Sequence, residues 1–111
     1  MKSYEFLCGG GSWDCLVDVR LTDDEAQRIK AFSKTEDVLW AEPTIEEIYN
    51  RVKDALIQQC LYAYDMDYLE EIREEYAESE DDSDEVVVER LLDAEGYVIR
   101  IPKELQGDNE I

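Results

Sequence analysis

The chain has no histidine, and its 111 residues include only 11 Lys and Arg, three Cys, two Pro and five Gly. Each shortage excludes something. Without His there is no imidazole base, so the usual pairing of a Cys nucleophile with His cannot be assembled within the chain. Cys8, Cys15 and Cys60 are too few to close a zinc site without His, and an odd set suits a reducing compartment better than a disulfide framework. No stretch approaches 18 apolar residues, and Met1 to Cys8 has no long apolar run of the signal-peptide kind. A cytoplasmic protein with no membrane association is expected.

The shortage of bases leaves 30 Asp and Glu largely unopposed, for a net charge of −19. Charge of that sign disfavours direct binding to nucleic acid or to anionic lipid at long range. It is also unevenly placed: residues 65 to 95 hold 15 acids and 2 bases. "EEYAESEDDSDE", residues 74 to 85, has eight carboxylates and no base. A salt-adapted protein spreads its acids over the whole surface, so the clustering asks for another explanation.

What is present suits a folded protein. Apolar residues make up 44% and aromatics 10%, richer than a disordered chain of this charge. A chain this long fits one domain and buries roughly two-thirds of the surface that its unfolded form exposes.

"YEFLCGGGSWDCLVDVRL" alternates apolar and polar residues on both sides of a glycine turn, which predicts a β-hairpin; a register that pairs Cys8 with Cys15 would bring the two thiols close enough to oxidise. "TDDE" at Thr22 to Glu25 has the capping-box pattern and opens a helix over about residues 23 to 34. "EDVLWAEP" reads as an irregular link. "TIEE" at Thr44 to Glu47 is a second capping box. Ile45, Ile48, Tyr49, Val52, Leu56, Cys60 and Ala63 then hold the helical period for five turns. At "DMDYLEE" the chain bends, with Asp67 as cap and Glu70 as its partner, and Leu69, Ile72 and Tyr76 give the third helix a thin apolar stripe. Residues 84 to 95 admit two readings. Three valines favour a strand, whereas Asp82 and Glu85 as caps, Glu89 to Leu91, and Gly96 at a helix end favour a helix, which is the reading adopted. Tyr97 to Ile101 is the last strand, and residues 106 to 111 form a frayed tail. The fold class expected is a small single-domain α+β protein. The N-terminal hairpin and the C-terminal strand form an antiparallel sheet, with three to four helices inserted between strands 2 and 3.

No motif carries catalysis or cofactor binding. "CGGGSWDC" feeds a strand rather than a helix and lacks a lysine, unlike a phosphate-binding loop, and is read as a flexible turn. Glu78, Glu80, Asp82, Asp84 and Glu89 fall at positions 1, 3, 5, 7 and 12 of an EF-hand frame, but Ser83 stands where its sharp turn requires Gly. Weak, unselective cation attraction is expected there, with no dedicated metal site and no cofactor. No pair of carboxylates stands out as a catalytic acid and base, so the protein is expected not to be an enzyme.

The third helix is the informative feature. Asp67 with Glu71, Glu70 with Glu74, Glu71 with Glu75, and Glu74 with Glu78 are like-charge pairs four apart, each costing about 0.2 to 0.5 kcal/mol. Only Arg73 is there to relieve them. Stability alone does not favour this arrangement, and its plain alternative is a solvated face that aids solubility. Seven carboxylates lie in the 14 residues from Asp65 to Glu78, one per roughly 3 Å of helix axis, against about 3.4 Å between phosphates of one DNA strand. Tyrosines among these acids, Tyr68 above all, fit an interface. The expected partner-binding residues are Asp67, Tyr68, Glu70, Glu71, Glu74, Glu75, Glu78, Glu80, Asp81, Asp82 and Asp84.

In size and charge placement the chain resembles the small acidic proteins, many phage-borne, that block restriction or CRISPR nucleases by occupying their nucleic-acid grooves. That resemblance implies an inhibitor of a basic protein partner, such as a nucleic-acid-binding nuclease. The alternatives are an immunity, antitoxin or regulatory protein that acts through another surface, and a small metal-binding protein.

Overall fold

The computed structural model describes residues 1–33 and 38–106. The hairpin strands are β1 (Lys2–Gly9) and β2 (Asp14–Leu21), paired antiparallel with Cys8 opposite Cys15. Helix α1 (Asp23–Phe32) follows, then a short strand β3 (Val38–Leu39) and helices α2 (Glu46–Ala63), α3 (Met66–Tyr76) and α4 (Asp84–Glu95). Strand β4 (Val98–Arg100) and a turn of 3-10 helix (Lys103–Leu105) complete the chain. The sheet is antiparallel with order β2-β1-β4-β3, so the last strand joins the opening hairpin beside β1, and four helices lie between β2 and β4. This is the expected α+β architecture.

Alternation decides which sheet face is buried. Tyr4, Phe6 and Cys8 of β1 meet Val17, Val19 and Leu21 of β2 on the core side, together with Ile99 of β4 and Leu39 of β3. Against that face pack Ile29 of α1, Ile48, Val52 and Leu56 of α2, and Val87, Val88, Leu91 and Leu92 of α4, each at most 4% exposed. The outer face is solvent-facing and keeps Leu7, Leu16 and Val98 exposed. Helix α3 packs on α4, and the molecule is elongated, 51 × 25 × 22 Å.

Several local expectations change. Residues Val38 and Leu39 of the supposed link pair with Arg100 and Ile99 and form the far edge of the sheet. The Thr44 capping box does not form: the Thr44 hydroxyl donates to the Glu42 carboxylate, and Ile45 takes the cap position without a side-chain bond. Ile45 is fully buried, so the inward turn of the chain overrides the polar cap. The cap of α3 is Asp65, whose carboxylate accepts from the Tyr68 N–H at 2.8 Å, in place of Asp67. Ser83 caps α4 by accepting from the Val86 N–H, in place of Asp82. The helical reading of residues 84 to 95 holds, and it ends at Gly96, whose φ of 81° is the conformation that glycine supplies without steric cost. Position 34, the expected end of α1, and residues 107 to 111 of the expected tail lie outside the described residues.

Candidate functional site

Helix α3 forms because a three-residue apolar stripe can dock on α4. Ile72 is buried, and Leu69 and Tyr76 pack against the core. At about 100° per residue, Asp67, Glu70, Glu71, Glu74 and Glu75 then spread over about 140° of the opposite side. All five are exposed, and among the described residues none has an ion-pair partner. Arg73, the one base available to relieve them, faces the other way. Its Nη1 is 2.8 Å from Asp84 Oδ1 and its Nη2 donates to the Asp82 carbonyl at 2.9 Å.

The loop after α3 is built around two arginines. Arg73 holds it from one side, and Arg90 of α4 holds it from the other, with Nη1 2.6 Å from Asp82 Oδ2. The same Asp82 oxygen accepts from the N–H groups of Glu78 and Ser79. The Arg90 guanidinium, then the Glu78 N–H, hold the Asp82 carboxyl below the usual aspartate range. Asp82 and Asp84 are thus internal struts as well as surface acids. Glu78 lies 3.9 Å from Arg90 Nε, a loose contact, while Glu80 and Asp81 are exposed and in no ion pair among the described residues.

The EF-hand frame is dismantled by the same contacts. Asp82 is taken by Arg90, Asp84 by Arg73 and Glu89 by Lys53 at 2.9 Å. Among the described residues, no three of Cys, Asp and Glu come together as metal ligands.

Two exposed apolar side chains at the α2–α3 bend fell outside the expected site. Tyr62, near the end of α2, is 90% exposed, and Met66, at the start of α3, 80%. Their signal in the sequence is that neither fits the apolar stripe of its own helix, although the uncertain helix break made the stripes hard to place there. Tyr68 is exposed at 38% and meets Tyr64 edge to face, with ring centroids 4.7 Å apart.

A second concave feature lies where the hairpin tip, the end of α2, the start of α3 and the end of α4 converge. It is a cavity of about 390 Å3 walled by Trp13, Cys15, Cys60, Tyr64, Tyr68 and Glu95. The glycines beside it permit close approach: a Cβ on Gly10 would stand 2.7 Å from the Gly96 carbonyl oxygen and 2.9 Å from the Trp13 indole nitrogen. "CGGG" is therefore partly a packing element, where flexibility alone was expected. Burial pushes the Cys8 thiol up to about 12 and raises Cys15 and Cys60 as well, so all three stay protonated at neutral pH. No family model, curated protein or solved structure matches the chain. Among the described residues, no helix is long and apolar enough to cross a membrane.

Proposed function

We propose that the chain is a non-enzymatic cytoplasmic binding protein. Its α3 helix and following loop occupy the basic, nucleic-acid-binding surface of a partner, such as a nuclease, and so inhibit it. The observation that carries this reading is the outer face of α3: five carboxylates with no ion-pair partner among the described residues, while Arg73 is engaged by the loop. A merely solvated face could carry Lys among its Glu and gain stability from i,i+4 pairs, so the unbroken negative surface suits complementarity to positive charge. Tyr62 and Met66, exposed at the α2–α3 bend, offer the aromatic and thioether anchors that interfaces favour. The protein itself binds no DNA or RNA on this account.

The test is capture of lysate proteins on the immobilised chain at about 50 mM salt, followed by elution with duplex DNA or with about 500 mM salt. Release of the same protein by both supports a shared basic surface. Capture that resists both argues for another surface. The solvent-facing side of the sheet, where Leu7, Leu16 and Val98 are exposed, is then the place to look, as an immunity protein or antitoxin would use it.

A further inference from the structure

We propose that the cavity beneath the hairpin tip is a binding site for a small organic ammonium cation, held by aromatic walls and one carboxylate. This goes beyond the role of the α3 face and does not depend on it, although Tyr68 belongs to both.

Three observations converge. The first is the wall chemistry: Trp13, Tyr64 and Tyr68 line the space, with Tyr64 and Tyr68 set at 76° to one another. Aromatic rings carry negative potential on their faces, and walls at an angle are the arrangement that surrounds an alkylated ammonium. The second is the charge. Among the described residues that line the cavity, Glu95 is the one acidic side chain and there is neither Lys nor Arg. The third is size: about 390 Å3 is within the range of small-ligand sites.

These features select among ligands. An anion meets Glu95 and the overall charge of −19. A hard metal ion needs several oxygen ligands and finds one carboxylate. A neutral hydrocarbon fills the space but gains nothing from the ring faces or from Glu95. A cation that carries its own alkyl shell uses all three. The ammonium group can belong to a free amine or to the lysine side chain of a partner, since both present the same head group.

The experiment follows Trp13 fluorescence in a full-length Trp40→Phe chain, at constant ionic strength. Titrants are choline, n-butylammonium as a stand-in for a lysine side chain, the neutral isostere 3,3-dimethylbutan-1-ol, and sodium. Either ammonium ion should bind with Kd on the order of millimolar, as expected for so few atoms. Choline binding ahead of butylammonium indicates a free quaternary amine, and the reverse order indicates a lysine side chain. Glu95→Gln, a change at an exposed position, should weaken binding at least fivefold, while Glu74→Gln on the far side of α3 leaves it unchanged. Because Trp13→Leu can disturb the hairpin, Tyr68→Leu, read by the ring resonances of Tyr64 in NMR spectra, is the second variant, and it should also lose binding. The proposal is overturned if the neutral isostere binds as tightly as the cations, if Glu95→Gln and Glu74→Gln behave alike, or if sodium competes equally.

Discussion

Arg51 on α2 clamps the Glu25 carboxylate of α1 with two hydrogen bonds, Nη1 to Oε1 at 2.9 Å and Nη2 to Oε2 at 2.7 Å. The same Arg51 Nη1 donates to the Arg20 carbonyl at the end of β2, and Glu25 Oε1 accepts from the Thr22 N–H. One bidentate pair therefore joins two helices to the sheet edge and closes the α1 capping box. The Arg51 bond, aided by the Thr22 N–H, holds the Glu25 carboxyl down to about 2, against an ordinary 4.5. A depressed carboxylate contributes its stability in full above the unfolded value and loses it as pH falls through the folded one. The loss from this group is expected between pH 4.5 and about 2. Glu25→Gln should lower stability by about 2 kcal/mol at pH 7, and the difference from wild type should shrink across that acid range. Thermal melts of both chains at stepped pH check it, and a constant difference down to low pH contradicts it.

Asp82 and Arg90 make the corresponding bond in the acidic loop. In Asp82→Ala the Glu78 and Ser79 N–H groups lose their side-chain acceptor, so both amides should exchange faster with deuterium while the sheet amides do not change. Equal protection in both chains would mean that the loop does not rely on Asp82.

The acidic face of α3 should cost stability. Glu74→Lys turns the Glu70 and Glu74 repulsion into an attraction with Glu on the N-terminal side, and should raise stability by about 0.5 kcal/mol. Added salt should raise the Tm of wild type more than that of the variant, by screening. A Tm insensitive to both changes would show the carboxylates to be too well solvated to repel one another.

Gly10 and Gly11 should differ sharply. A Cβ at Gly10 meets backbone oxygen, whereas a Cβ at Gly11 meets nothing within 4 Å. Gly10→Ala should cost about 1 to 3 kcal/mol, and Gly11→Ala should be neutral or slightly stabilising. Chemical denaturation of the two variants separates them.

The hairpin was legible because alternation around a glycine turn marks both strands and their buried face, whereas its register, with Cys8 opposite Cys15, comes from the structure. Gly96 was legible for a similar reason, since a helix end needs the positive φ that it supplies. The caps at Thr44 and Asp67 were misplaced because a capping pattern is local. Ile45 turns into the core at the first site, and Asp65 caps α3 two residues ahead of Asp67 at the second. Strand β3 has two residues and exists only through its pairing with Ile99 and Arg100, which no local pattern reports. The exposed acids of α3 could be read from their position off the apolar stripe, but the internal engagement of Asp82 and Asp84 could not, because Arg90 and Arg73 reach them from other elements. The cavity was equally hidden, its walls coming from residues 13 to 95.

If the α3 face binds a basic partner surface, reversing its charge removes that binding and reversing charges on the hairpin does not. The most direct measurement compares capture of lysate proteins by wild type, by a Glu70→Lys, Glu71→Lys, Glu74→Lys, Glu75→Lys chain, and by a Glu5→Lys, Asp14→Lys, Asp18→Lys chain, each first shown by circular dichroism to be folded. Wild type and the hairpin variant should retain the same DNA-displaceable protein, and the α3 variant should lose it. Retention of that protein by the α3 variant, at the same salt and in the same amount, would contradict the claim.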